Sequence, residues 1–180
     1  MMSIAPFLQS LTPNPARVLL LNTHAVDIRL PWYRWHQPTG LLQIGSALQR
    51  QGSDVRLMDC LGWDRGQRPR RRKVGTVEFG EQRADLWQFG GLWGHLTTHV
   101  RSLKKEGWIP DQVYVSCPQT TWWQAAQVLI QRLKTDWFPG VPVILGGVYP
   151  SLEPDHAALH SGADVIVYGS IPEARDEIPD

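Results

Sequence analysis

Short apolar runs alternate along the chain with segments in which apolar residues recur at helical spacing. The runs are rich in Val, Ile and Leu, so they predict strands that are buried on both faces, as in a parallel sheet covered by helices. The five predicted strands are residues 17–22, 55–59, 112–116, 142–145 and 165–168. Their alternation with helices predicts an α/β, flavodoxin-like fold with a parallel sheet of strand order 2-1-3-4-5 and helices on both faces.

Helical spacing predicts four helices, at residues 40–51, 92–106, 122–137 and 154–160. Thr39 is expected to cap the first helix, because a hydroxyl at that position can accept a backbone N–H. Gly52 and Gly107 are expected to end the first two helices, since glycine readily adopts the left-handed conformation found there. Residues 23–38 show neither pattern and are predicted to form a long loop.

These elements predict one domain, residues 17–170, preceded by a loose segment at 1–16 and followed by a tail or linker at 171–180. Residues 60–91, after the second strand, are interpreted as an insertion rich in Trp and Arg, because neither strand nor helix spacing continues there. The basic run at residues 68–73 within this insertion is either a solvated tip or an edge where a partner docks.

Composition and charge narrow the range of partners. The net charge of +1 gives no argument for nucleic acid or for an anionic membrane surface. No segment approaches the roughly 20 apolar residues that a membrane-spanning helix needs, and residues 1–15 lack the features of a secretory signal. The two cysteines are far apart and lie in no metal-binding spacing. We therefore expect a cytoplasmic protein without a disulfide, a nucleic-acid partner or a membrane partner.

Several common activities lack their motif in this chain. There is no GxxxxGK[ST] phosphate loop, no GxGxxG after the first strand and no GxSxG nucleophile turn. Nucleotide triphosphate chemistry, dinucleotide binding and ordinary hydrolysis are therefore not supported. The pair Gly146-Gly147 ends the fourth predicted strand, and ligands of doubly wound sheets bind at the carboxyl ends of the strands. Two glycines there predict that a large ligand approaches the backbone closely.

Five segments, taken in order, resemble one protein family. They are RVLLLN at 17–22, QPTGLLQIG at 37–45, CPQTTWW at 117–123, FPGVPVILGGVYPSLEPDH at 138–156 and GADVIVYG at 162–169. This combination resembles the N-terminal cobalamin-binding domain of cobalamin-dependent radical SAM enzymes. The resemblance implies a corrin that lies across the carboxyl ends of the strands, with its nucleotide tail reaching into the fold.

The resemblance also implies a set of cofactor-binding residues on the loops that follow the later strands. They are Ser116, Thr120, Thr121, Gly146, Gly147, Tyr149, Tyr168 and Gly169. The glycine pair and Tyr149 would lie beside the macrocycle, and Tyr168 and Gly169 would lie near the nucleotide tail. Glycines suit the flat face of a corrin, and hydroxyls and backbone groups suit its rim of amides.

His24 is the candidate cobalt ligand. Broader cobalamin proteins carry a DxHxxG motif whose histidine is the lower axial ligand, and His24 stands at the matching position after the first strand. Asn22 replaces the aspartate that would orient the imidazole, and Asp27 replaces the glycine that would make room for the ligand. His24 is therefore either an axial ligand or an ordinary loop residue. Radical SAM relatives usually bind the cofactor without a protein histidine, which favours the second interpretation.

Two further histidine pairs have i, i+4 spacing. His95 with His99, and His156 with His160, could each face one metal ion from a helix. Neither pair has a Glu or Cys at ligand spacing, so ordinary surface histidines are the alternative interpretation.

The chain has no CxxxCxxC motif for an iron-sulfur cluster, so it cannot cleave SAM by itself. We expect a cobalamin-binding module that holds and orients the corrin for a radical SAM methyltransferase or a related radical enzyme. The catalytic barrel would then belong to another chain or to a part that this sequence lacks. The alternative is a non-enzymatic flavodoxin-like interaction module that has lost its cofactor. A small-molecule enzyme that uses His24 as base and Asp27 to orient it is the third hypothesis.

Overall fold

A five-stranded sheet and a smaller three-stranded sheet organise the structure. The computed structural model describes residues 15–28, 38–61, 71–91 and 93–169. The described strands are β1 Arg17–Asn22, β2 Ala25–Asp27, β3 Asp54–Asp59, β4 Arg71–Phe79, β5 Gln82–Phe89, β6 Gln112–Ser116, β7 Val143–Gly146 and β8 Val165–Ile166. The described helices are α1 Thr39–Arg50, α2 Trp93–Lys105, α3 Trp123–Arg132, α4 Val148–Leu152 and α5 Pro154–His160, with a 3₁₀ turn at Thr120–Trp122 and a π-helical turn at Leu133–Trp137 on either side of α3.

The larger sheet has the order β3-β1-β6-β7-β8, and every neighbouring pair is parallel. The remaining strands, β2, β4 and β5, form the smaller sheet. If the five strands of the larger sheet are numbered 1 to 5 along the chain, their order across the sheet is 2-1-3-4-5. The flavodoxin-like prediction is therefore confirmed. Parallel pairing places the carboxyl ends of all these strands on one edge, which we call the carboxyl edge.

Helices cover both faces of the larger sheet, as the apolar runs predicted. On one face, alternate strand residues pack with α1 in one cluster: Val18, Leu20, Tyr114 and Ile144 with Leu41 and Leu48. On the other face, the intervening residues pack with α2 and α3 in a larger cluster that includes Leu19, Leu21, Val113, Val115, Val143, Leu145, Val100, Leu103, Leu129 and Ile130. Successive side chains of each strand thus pack into two separate hydrophobic clusters, one on each face of the sheet.

A β-hairpin occupies residues 71–89, within the segment that the sequence analysis interprets as an insertion. Strands β4 and β5 pair antiparallel, and β5 also pairs with β2. The loop predicted at 23–38 therefore contains a strand as well. Sequence spacing missed these strands because β2 has only three residues and because the β4 ladder shifts register between Lys73 and Gly75, which interrupts the period-two alternation.

The helix ends test the predicted capping residues. Thr39 was the wrong residue for the α1 cap: Pro38 occupies the N-cap position, no side chain caps the helix, and Thr39 is its first residue. Gly52 and Gly107 were predicted correctly, since they follow α1 and α2 with φ values of 94° and 70°. Only glycine adopts a positive φ without steric strain, which explains why both helices end just before these residues.

Some predicted segments fall largely outside the described residues. These are the loose N-terminal segment at 1–16, the tail at 171–180 and the tip of the insertion at 62–70, which holds the first half of the basic run. The second half of that run begins β4. Within the described residues, no helix is both long enough and apolar enough to cross a bilayer.

Two glycines fasten the hairpin to the larger sheet. Gly90 and Gly91 follow β5 with φ values of 72° and 59°, and the N–H of Gly91 donates to the carbonyl oxygen of Cys60 over 2.6 Å. A Cβ atom on Gly90 would lie 2.6 Å from the Cα atom of Leu61. Only glycine therefore allows both the backbone conformation and the close approach at this joint.

We predict that Gly90→Ala lowers the free energy of unfolding by about 3 kcal/mol, because the strain of a left-handed alanine adds to a backbone clash. Gly80→Ala is the matched control: Gly80 has a φ of 59°, but an added Cβ would meet no atom within 4 Å. Strain alone should cost that variant about 1 kcal/mol. Chemical denaturation measures both losses, and equal losses would contradict the tight joint at Gly90.

Candidate functional site

Adjacent strands of the larger sheet end in a row of small or polar residues at the carboxyl edge. In the parallel register, Asn22 of β1 lies beside Ser116 of β6, and Ser116 lies beside Gly146 of β7. On the other side of Asn22 lies Asp59 of β3, whose carboxylate accepts a 3.0 Å hydrogen bond from Asn22 Nδ2. The row therefore crosses the centre of the sheet without interruption.

The row faces α1. Side chains alternate between the two faces of a strand, so each row residue shares a face with the residue two positions earlier. Those earlier residues in β1, β6 and β7 pack in the cluster that α1 covers.

Because α1 connects parallel strands, it runs antiparallel to them and begins at the carboxyl edge. Its first turn carries no side-chain cap and no acidic residue, which favours an anion near its N-terminus.

The row is buried at its β1 residue and partly exposed to solvent at its β6 and β7 residues. Asn22 is 3% exposed, whereas Ser116 and Gly146 are both partly exposed. Among the described residues, a Cβ atom on Gly146 would meet nothing closer than the carbonyl oxygen of Val167, at 3.8 Å. We call the surface formed by Asn22, Ser116, Gly146 and Val167 the edge slot. It is the part of the carboxyl edge where a ligand could approach the backbone.

The loops after β1, β6 and β7 pack tightly against one another. The N–H of Thr23 donates to the carbonyl oxygen of Ser116, and the N–H of Tyr149 donates to that of Cys117, each over 3.1 Å. Gly147 has a φ of 105°, and a Cβ atom there would lie 2.6 Å from the carbonyl oxygen of Cys117. These contacts hold the loops after β6 and β7 against each other, although Gly147 itself is exposed.

Tyr149 lies in the core, although the resemblance places it beside a macrocycle. It is 1% exposed, and its Oη atom is 2.8 Å from Nδ1 of His156. Burial, together with the nearby Cys117 and Glu153, raises the pKa of Tyr149 to about 12. The hydroxyl therefore keeps its proton at neutral pH. In this structure Tyr149 joins α4 to α5, and the exposed surface of the edge is formed by other residues.

The remaining residues implied by the resemblance flank the row. Thr120 and Thr121 lie in the 3₁₀ turn before α3, which contacts β2 and α4. Tyr168 is 52% exposed, and the N–H of Gly169 donates to Oγ of Ser151 over 3.0 Å. This hydrogen bond holds the loop after β8 against α4, at the open end of the edge slot.

His24 is buried beneath the smaller sheet. Its side chain is 2% exposed, its ring centroid is 5.4 Å from that of Trp93, and a Cβ atom on Gly91 would lie 2.6 Å from its Cγ atom. Its Nδ1 atom has no hydrogen-bond partner among the described residues. Burial, and secondarily the charge of Arg72, lower the pKa of His24 to about 4. A ligand would reach this neutral imidazole only after Trp93 or the hairpin had moved, and cobalt ligation by His24 stays a prediction.

Sequence reasoning missed two residues of this region and undervalued a third. Asp59 and Val167 were not considered, and Asn22 entered only as a departure from a motif. The available signal was position, since Asn22 ends the buried strand β1 and Asp59 ends the partly exposed strand β3. Their partnership becomes visible only when the register of β1 and β3 is known.

Other clusters and depressions lie away from the row. No group of three or more His, Cys, Asp or Glu side chains among the described residues is arranged to hold a metal ion. A depression of about 380 Å³ between α3 and the end of α5 has Lys134 and His160 in its wall. A second depression, of about 270 Å³, between α2 and α3 is lined in part by Arg101, Lys104 and Arg132. The lining of these two depressions includes no residue of the row.

Comparison of the sequence with models of known protein families and with curated proteins found no match. The flavodoxin-like fold therefore rests on the structure itself. The resemblance to cobalamin-binding domains rests on the order of short motifs, and it guides a proposal.

We predict that His24 makes the protein less stable in mild acid. Its pKa is lowered from 6.5 to about 4 on folding, so the unfolded chain binds the proton more readily and stability is lost as the pH falls through that window. From about pH 7.5 to about pH 5, the free energy of unfolding should fall by about 2 kcal/mol more in the wild type than in His24→Gln.

Chemical denaturation at the two pH values measures this difference. His95→Gln is the control, because His95 is exposed on α2 and its replacement should leave the pH dependence of the wild type unchanged. The same pH dependence in wild type and His24→Gln would contradict a buried neutral imidazole.

Proposed function

We propose that this domain binds cobalamin at the edge slot and holds it for a radical SAM methyltransferase or a related radical enzyme. The observation that supports this proposal most is the row of Asn22, Ser116 and Gly146 at the carboxyl edge, with room among the described residues beside the backbone of Gly146. Ligands of doubly wound sheets bind at this edge. Among such ligands, the order of the sequence motifs favours cobalamin.

The slot and its surroundings offer chemistry that fits the two parts of cobalamin. Ser116 supplies a hydroxyl and Gly146 an unobstructed backbone, and the nearby N-terminus of α1 favours a phosphate such as the one in the nucleotide tail. Outside the slot, Val148, Leu152 and Tyr168 are 48%, 65% and 52% exposed. These side chains provide an apolar border against which the corrin disc could rest.

In this proposal the chain binds and orients the corrin, and the bound cobalt would supply the methyl-transfer chemistry. We propose binding without a protein histidine ligand, because His24 packs against Trp93 of α2, the helix on the face opposite the slot. An iron-sulfur cluster and the barrel that holds it would come from a partner chain or domain. The free, buried thiols of Cys60 and Cys117 fit a reducing cytoplasm.

We predict that the full chain binds hydroxocobalamin with roughly micromolar affinity, and that Gly146→Leu weakens this binding at least about tenfold. The leucine side chain would occupy the slot, and the fold should tolerate it because an added Cβ has room at this position. Titration followed by the visible absorbance of the corrin, and independently by calorimetry, measures both affinities.

Two controls locate the effect. Gly94→Leu should bind like the wild type, because Gly94 is exposed on α2 and an added Cβ meets no atom within 4 Å. Cobinamide, which has the corrin but lacks the nucleotide tail, should bind the wild type at least about tenfold more weakly than cobalamin. In this proposal the nucleotide tail lies beside Gly146, where the resemblance implies the macrocycle, so cobinamide should bind the wild type and Gly146→Leu equally. The proposal would be overturned if hydroxocobalamin at micromolar concentrations gave no spectral change and no heat of binding.

A protein-interaction module without a cofactor is the second candidate. It is favoured by the exposure of Val148, Leu152 and Tyr168, since contiguous exposed apolar side chains are typical of interaction sites. Ser151 holds this surface together, because its Oγ donates to Gly147 over 2.7 Å and accepts from the N–H of Gly169. In this case the wild type binds no corrin, and Leu152→Ser fails to recover a partner protein that the wild type recovers.

A further inference from the structure

The pair His156 and His160 on α5 has its two rings in contact. Their centroids are 4.4 Å apart, as expected for i, i+4 neighbours that share one helix face. His156 is half-buried, whereas His160 is exposed. The carbonyl oxygen of His160 accepts a 2.9 Å hydrogen bond from Nε2 of Gln127, which ties the end of α5 to α3. The two imidazoles thus lie side by side on a backbone that is fixed at both ends.

The ring of His156 is oriented by two buried or half-buried aromatic residues. Tyr149 Oη lies 2.8 Å from Nδ1 of His156, and the ring of Trp123 meets that of His156 at 82° with centroids 4.9 Å apart. The bond to Tyr149 occupies Nδ1, so Nε2 is the nitrogen left for another partner. Histidines that ligate metals usually have their second ring nitrogen hydrogen-bonded in this way.

We propose that His156 and His160 form a two-histidine site for a divalent transition-metal ion such as Zn²⁺. Nε2 of His156 and a ring nitrogen of His160 are the protein ligands, and imidazole nitrogen is a preferred donor for Zn²⁺, Ni²⁺ and Cu²⁺. Tyr149 is a positioning residue, whose Oη accepts the Nδ1–H of His156 in the metal-binding tautomer. Water or a donor from another molecule completes the coordination, because no third His, Cys, Asp or Glu among the described residues joins the pair.

The other histidine pair shows why spacing alone does not make such a site. His95 and His99 have the same i, i+4 spacing on α2, but both are exposed, and neither side chain has a ring contact or a hydrogen bond with another residue in the described part of the chain. Fixing two free side chains on one ion costs rotamer entropy. At the pair on α5, Tyr149 and Trp123 already restrict one ring, so less entropy is lost on binding.

The test titrates the untagged full chain with ZnCl₂ in a calorimeter, with no corrin present. We expect roughly micromolar affinity for the wild type and at least about tenfold weaker binding for His156→Ala and for His160→Ala. Tyr149→Phe keeps the buried ring but removes the hydroxyl, and should weaken binding by about threefold or more. His95→Ala is the matched control and should bind like the wild type.

A second measurement counts the ligands directly. The electron paramagnetic resonance spectrum of bound Cu²⁺ should report two imidazole nitrogens in the wild type and one in His160→Ala, which alters an exposed side chain and should leave the fold intact. Unchanged Zn²⁺ affinity in both alanine variants of the pair would overturn the proposal, and so would loss of binding in His95→Ala. The outcome is independent of cobalamin binding, because the assay contains none.

Discussion

The parallel register of β1, β6 and β7 is the constraint on which the candidate site depends. These strands end together, so Asn22, Ser116 and Gly146 form one row although they are far apart in the sequence. Backbone hydrogen bonds continue beyond the strand ends, from the N–H of Thr23 to Ser116 and from the N–H of Cys117 to Gly146. These bonds order the loops without a ligand, which would lower the entropic cost of binding one at the edge slot.

The two adjacent glycines at the end of β7 differ in the room that a side chain would have. Gly147 is exposed, yet a Cβ atom there would meet the backbone of Cys117, so only glycine allows the following loop to lie against that backbone. Among the described residues, a Cβ atom on Gly146 would meet nothing closer than 3.8 Å. Close packing of the chain therefore requires glycine at Gly147, whereas Gly146 has room beside it for another group. The loop that Gly147 allows also contains Tyr149, whose hydroxyl orients His156.

The smaller sheet determines what His24 can do. Gln88 of β5 donates through Nε2 to the carbonyl oxygens of Gly90 and Gly91, over 3.2 and 2.9 Å. These hydrogen bonds hold Gly91 in close contact with the imidazole of His24. Burial there, with the charge of Arg72 nearby, keeps the pKa of His24 at about 4. A histidine at the spacing of an axial ligand thus becomes a neutral core residue, because segments distant in sequence control both its access and its protonation.

Apolar periodicity by itself predicted the five parallel strands and the helices α1, α2, α3 and α5, because each of these elements depends on near neighbours. It missed α4 and the strands of the smaller sheet. The strand order was predicted from the alternation of strands and helices with right-handed crossovers. Periodicity also placed Ser116, Gly146 and Gly147 at strand ends. Only the tertiary structure decided that β2 pairs with β5, that Tyr149 is buried against His156 and that an added Cβ atom has room at Gly146 but not at Gly147. The physical reason is that periodicity is a property of adjacent residues, whereas exposure depends on which remote segments pack against them.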